Sequence, residues 1–237
     1  MNKLYFVFFS SLLFCGLQSC SEVIDGKEQS MTNKDYREYF YPTDSVIPYI
    51  YAYQDEKAPL DERFHRMYSL EENDSTFFVI ERFNSSFRIF EGYTFYLENN
   101  LMVQNHMMVD GNGIKRSSRL QKNTFFPLNK GEQVIFLANF PSHIDSTIIV
   151  YESRKTIIED ELEINVLGKD YKAINVRDSI QVSLVNLYNK KTASEFTVTN
   201  NYYAKGLGLV KWGDLEEEVC YELKKILTDN WWMEFAR

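Results

Sequence analysis

Too few cysteines are present for a disulfide framework. The chain of 237 residues has three. Two of them, Cys15 and Cys20, fall within the first twenty residues, so Cys220 alone is left for a folded domain and has nothing there to pair with. The core must carry the fold unaided, which is feasible at this length. Cys220 stands between Val219 and Tyr221 and reads as a small buried hydrophobe rather than a reactive thiol. Histidine is equally scarce, with His65, His106 and His143 the full set. None lies in a G-x-S-x-G elbow or an H-E-x-x-H helix, and no C-x-x-C pair occurs, so the recognisable triad hydrolases and zinc sites are excluded. No catalytic residue, metal ligand or cofactor is assigned. Basic residues number 26 against 34 acids, a formal charge of -8, which disfavours nucleic acid as a partner. Low-complexity tracts and internal repeats are missing as well, and with them the solenoid and fibrous classes. Hydrophobic content of 44% and charged content of 25% are those of a globular protein.

What the chain does have begins at its N-terminus. Lys3 provides a positive start, Leu4 to Phe14 an apolar stretch too short to span a bilayer, and Leu17-Gln18-Ser19-Cys20 a small residue before cysteine. This resembles the lipobox of bacterial lipoproteins, although Gln18 replaces the usual small residue. The resemblance implies cleavage after residue 19 and acylation of Cys20, so residues 1–19 are a signal peptide and the mature charge becomes -9. Residues 20–38 are assigned to a lipidated tether and 39–237 to a single β-rich domain. Within the tether, Asn33 is positioned to cap a short helix presenting Tyr36, Tyr39 and Phe40, stopped by Pro42.

From Val46 onward the pattern is one of short β-branched and aromatic runs. Phe87, Ile89, Glu91, Tyr93, Phe95 and Leu97 hold one parity, almost wholly apolar, and Arg88, Gly92, Thr94 and Glu98 the other. Ile180, Val182 and Leu184, then Phe196 and Val198, repeat the two-residue rhythm of half-buried strands. Between runs lie Asn84-Ser85, Asn99-Asn100, Asp110-Gly111-Asn112-Gly113, Asn129-Lys130-Gly131 and Gly168-Lys169-Asp170, residues that tolerate the positive φ of tight reversals. The prediction is a mainly β protein, an antiparallel meander curled into a barrel, a half-barrel or a two-layer sandwich, with at most one or two short helices. The segment around Val219, Tyr221 and Leu223 is assigned to a strand, and Trp231, Trp232 and Phe235 to a plug closing the core.

Asp110-Gly111-Asn112-Gly113 opens like a calcium loop but lacks the distal glutamate and reads as a hairpin turn. His143, in Pro141-Ser142-His143-Ile144-Asp145-Ser146, has hydroxyl and carboxylate neighbours, yet an exposed loop histidine accounts for it. Asp44-Ser45-Val46, Asp74-Ser75-Thr76, Asp145-Ser146-Thr147 and Asp178-Ser179-Ile180 match a periplasmic O-glycosylation pattern that is also plain turn chemistry. Gly206 and Gly208 have strand-like sequence on both sides, which points to a tight bend in a curved sheet rather than a phosphate loop.

Tyr202-Tyr203-Ala204-Lys205-Gly206-Leu207-Gly208-Leu209-Val210-Lys211, with Tyr39-Phe40-Tyr41-Pro42 and the tyrosine-rich run Tyr49 to Tyr53, resembles motifs of uncharacterised exported bacterial lipoproteins rich in antiparallel β-structure. The resemblance brackets most of the mature chain and transfers no catalytic residue. It implies a single domain in the bacterial cell envelope, and Ser21 after Cys20 is consistent with sorting to the outer membrane. The resulting expectation is a membrane-tethered, non-catalytic binding or structural protein, its ligand a lipid, a glycan or another envelope protein. An envelope hydrolase using His143 or a carboxylate pair is the alternative.

Overall fold

The computed structural model describes residues 34–97, 101–216 and 218–235. Cys20 with the lipobox-like residues before it, Asn33, and the Asn99-Asn100 pair expected to form a turn lie outside the described residues.

The meander runs β1 (Tyr49–Asp55), β2 (Glu62–Glu72), β3 (Ser75–Phe83), β4 (Ile89–Tyr96), β5 (Met102–Val109), β6 (Lys115–Ser117), β7 (Arg119–Asn123), β8 (Gln133–Pro141), β9 (Thr147–Val166), β10 (Lys169–Asn186), β11 (Thr192–Ala204), β12 (Gly208–Asp214) and β13 (Cys220–Thr228), and ends in helix α1 (Asp229–Phe235). Every strand pairs antiparallel with its sequence neighbour except across β6 and β7, and β13 pairs antiparallel with β1. Of the three shapes open to the sequence, the sheet takes the nearly closed barrel. A closed antiparallel ring needs an even number of alternating directions, and thirteen strands supply it because β6 and β7 run the same way. Separated only by Ser118, they form two parts of one strand that crosses from one sheet edge to the other. The seam is drawn together by the Met102–Thr124 bridge and by Ser118 N–H donating to the His106 carbonyl at 2.9 Å, which covers the edges a curled sheet would otherwise expose.

Inward and outward residues alternate along the strands, but a register shift where Phe83 meets Ile89 interrupts the stripe read from Phe87 to Leu97, and Phe87 packs on the outer face against Trp232. Phe78 and Ile80 on β3, Tyr93 and Phe95 on β4, and Ile174 and Val176 on β10 enter the main core. The anticipated turns are present: Gly113, Gly131 and Gly168 all have positive φ at strand reversals. The segment around Val219, Tyr221 and Leu223 enters strand β13 as expected, with Cys220 buried.

Two elements differ from expectation. The short N-terminal helix is a single 3₁₀ turn, Arg37–Tyr39, and its surroundings are packed rather than tethering. Tyr36, Tyr39, Phe40 and Tyr41 all join the main core, so the boundary drawn at residue 39 falls inside a buried segment. Rings that must face several walls at once cannot all be served by one helical face, which is why the helix stops after one turn. Conversely, Trp232 does not plug that core. It packs on the outer face of the sheet with Ile50, Ala52 and Phe64, residues of the opposite parity to the inward-facing tyrosines of β1.

Candidate functional site

One end of the barrel is filled by aromatic rings. Phe40 meets Phe78, Phe95 and Phe126 with centroid separations of 5.8, 5.4 and 5.5 Å, each edge to face, the arrangement ring quadrupoles favour. The plug is held by its backbone as well. Tyr36 N–H donates to the Leu128 carbonyl (3.1 Å) and Gly206 N–H to the Glu38 carbonyl (2.8 Å), while Lys205 pairs with Glu38 at 2.8 Å. The β11–β12 turn thus forms the seat of the N-terminal segment, and the two motifs noted in the sequence touch. Gly208, at φ +88°, allows that contact: a Cβ there would lie 2.6 Å from Tyr41 Cδ1. The Tyr51 and Tyr53 hydroxyls donate to the carbonyls of Leu207 and Leu209 at 2.9 and 2.8 Å, pinning the same turn to β1.

Beyond the plug the interior becomes polar, and a cavity of about 280 Å³ remains. The charged groups that line it, with Glu91 behind Arg82 and Tyr93, come from positions that the alternation of each strand assigns inward. Arg82 follows Phe78 and Ile80 on β3, Glu91 precedes Tyr93 and Phe95 on β4, Lys155 precedes Ile157 on β9, and Asp178 follows Ile174 and Val176 on β10.

These charges are paired. Arg82 Nη1 donates to Glu91 Oε2 at 2.7 Å and the Tyr93 hydroxyl to Glu91 Oε1 at 2.6 Å. His106 Nε2 lies 3.2 Å from the same oxygen and its Nδ1 2.8 Å from Ser118 Oγ. Nε2–H donates to the carboxylate, and Nδ1 shares a hydrogen bond with the Ser118 hydroxyl. Burial works to raise the Glu91 pKa, but Arg82 and the hydrogen bonds from His106 and Tyr93 outweigh it and hold the carboxyl at about 2. Across the cavity, the Ser153 hydroxyl donates to Asp178 Oδ1 at 2.7 Å, and Lys155 Nζ lies 3.6 Å from Asp178 Oδ2 and 3.5 Å from the centre of the Phe125 ring. Burial lowers the Lys155 pKa, and the Asp178 charge works against that shift.

The remaining wall is a stack. The His65 ring lies 5.5 Å from Trp212, Trp212 lies 4.9 Å from Tyr221, and Arg63 sits 5.5 Å above Tyr221. The Tyr41 hydroxyl donates to His65 Nδ1 at 3.2 Å when that ring is neutral. Burial, followed by the Arg82 charge, pushes the His65 pKa well below 6.5, so the ring is neutral at pH 7.

Of the residues singled out in the sequence, Gly206 and Gly208 lie beneath the site, in the plug seat. His143 is exposed in the β8–β9 turn and lies outside the cavity lining. Asp178, read from sequence as part of a turn tripeptide, belongs to the site. Asp110 accepts the Asn112 and Ile114 N–H groups and bonds Arg116 in its hairpin, and among the described residues no cluster of His, Cys, Asp or Glu is arranged to hold a metal ion.

No family model and no curated protein matches the chain. Two solved structures are similar. A candidate lipoprotein of Parabacteroides distasonis superposes with a TM-score of 0.46 at 10% identity, covering 79% of this chain and 98% of its own. A candidate exported protein of Bacteroides fragilis with a YmcC-like fold does so with a TM-score of 0.39 at 12% identity, covering 80% and 99%.

Proposed function

We propose that the protein is a lipid-anchored component of the bacterial cell envelope, sorted to the outer membrane, whose barrel binds a small polar molecule without transforming it. The lipobox supports the anchor. The observation that carries the binding role is the interior cavity, close to the lower end of the roughly 300–1,000 Å³ usual for ligand pockets and combining aromatic walls with a few convergent polar groups. The aromatic plug occupies the space an acyl chain would need, and buried charges line what remains, so a compact polar ligand fits better than a lipid. Proton transfer is poorly served, because Glu91 is ionised and bound by three partners and Asp178 is tied to Ser153 and Lys155.

Thermal unfolding of the lipoprotein purified in detergent, with a panel of hexoses, uronic acids, amino acids and short dicarboxylates, tests this reading. A true ligand at a hundredfold excess over its Kd should stabilise the fold by about 2.7 kcal/mol. Thr199→Trp, which fills the cavity from its β11 wall, should abolish the gain. A panel without effect, or a gain that survives Thr199→Trp, would remove the cavity as the binding site; turnover of any member would favour the hydrolase alternative. Incorporation of a labelled fatty acid into the wild type and not into Cys20→Ala is the matching test of the anchor.

A further inference from the structure

The donors in the cavity are under-used. Arg82 lines the cavity and commits one terminal nitrogen, Nη1, to Glu91. Lys155, 5% exposed, is paired only loosely with Asp178, at 3.6 Å, and rests on the Phe125 ring. Two cations that repel one another around a single space are stabilised by an acceptor placed between them.

The charge count restricts what that acceptor can be. Arg82 is matched by Glu91 and Lys155 by Asp178, so the interior offers strong donors with no net positive charge. A singly charged carboxylate adds one negative charge opposite these donors, whereas a phosphate would bring a second into a region of low dielectric. The Phe90, Tyr93 and Phe125 rings supply apolar wall, and Thr199 and Asn201, also lining the cavity, supply a hydroxyl and an amide 3.2 Å apart. Carbon–hydrogen faces alternating with hydroxyls, on one compact ring, complement that lining.

We propose that the cavity binds a hexuronic acid, its carboxylate taken by Arg82 and Lys155 and its ring hydroxyls by Thr199 and Asn201. This rests on the binding role proposed above and adds the class of ligand. Isothermal titration of the detergent-solubilised lipoprotein with D-glucuronate, D-glucose and D-glucose 6-phosphate tests it. Saturable glucuronate binding at least tenfold tighter than either competitor is the expected result. Glucose binding equally well would overturn the carboxylate assignment and leave the binding role standing, and tighter binding of the phosphate would do the same. No binding of any of the three would overturn the assignment, with the wider panel and Thr199→Trp then deciding the role itself. The paired substitution Lys155→Gln with Asp178→Asn removes both charges together and leaves no lone buried ion. It should weaken glucuronate at least tenfold, and unaltered glucuronate affinity in a folded variant would overturn the assignment. Should that variant fail to fold, the three-sugar comparison on the wild-type protein decides alone.

Discussion

Gly208 is constrained twice over. Its φ of +88° lies where a side chain strains the backbone, and the space its Cβ would occupy is taken by the Tyr41 ring. Gly206 shares the first constraint, with φ +74°, but a Cβ there would meet nothing within 4 Å. Alanine should therefore separate the two. Gly206→Ala is expected to cost about 1 kcal/mol, from backbone strain alone, and Gly208→Ala about 2–4 kcal/mol, from strain plus displacement of Tyr41. Urea unfolding of both variants measures the difference, and equal costs would show that the Tyr41 contact contributes nothing. The bend at these glycines was legible in the sequence because a glycine between strands has few other uses. The site charges were less so. Glu91 stands in the stripe of Phe87, Ile89, Tyr93 and Phe95, on a parity that alternation makes apolar, and that misfit was the available signal. Arg82, Lys155 and Asp178 break the same rule on their own strands. Each lies beside polar neighbours, however, and only the partner strands across the barrel show that the four converge.

At the scale of elements, the two aromatic clusters exchange roles relative to their sequence reading. Residues 34–38 follow a polar stretch and open a helical turn that is marginal alone, so they looked like the end of a tether; the burial of Tyr36 there depends on a barrel end built mostly by residues far along the chain. The tryptophans of α1 looked like a core plug because large rings are usually interior, yet the helix lies against the outer face of β1 and β2. Their energetic weights should differ. Phe40 touches rings from β3, β4 and the β7–β8 loop, so Phe40→Ala should cost about 3–5 kcal/mol and open the Tyr39–Phe40 region to chymotrypsin. Trp232→Ala leaves a void that water can reach from outside and should cost less, with no gain in cleavage at Tyr39. Denaturant midpoints together with mapping of the first proteolytic cut check both. A larger loss for Trp232 would make α1, rather than the N-terminal segment, the principal closure.

For the whole molecule, strand number and antiparallel order could be read locally, but closure could not. A barrel, a half-barrel and a sandwich share their hairpins and differ only in whether β1 meets β13 and whether the strand through Ser118 bridges the two sheet edges. The nearly closed interior makes stability sensitive to the protonation of the groups inside it. Glu91 has an ordinary pKa near 4.5 and about 2 in the folded barrel. Its ionised form therefore adds stability that is complete above about pH 4.5 and is lost as pH falls from there toward 2, a loss on the order of 3 kcal/mol. His65, held neutral by burial, acts earlier. Below pH 6.5 the unfolded chain takes up a proton that the folded ring refuses, so stability declines through the same acid side. Urea unfolding at constant ionic strength should thus give a flat midpoint from pH 8 to 7, a first decline below pH 6.5 and a steeper one below pH 4.5. His65→Phe keeps a ring stacked on Trp212 and removes the titration, so it should flatten the first decline and leave the second. A midpoint that holds steady or rises between pH 7 and 4 would show that water reaches these groups freely, and the interior would then lack the low dielectric on which selective binding of a carboxylate depends.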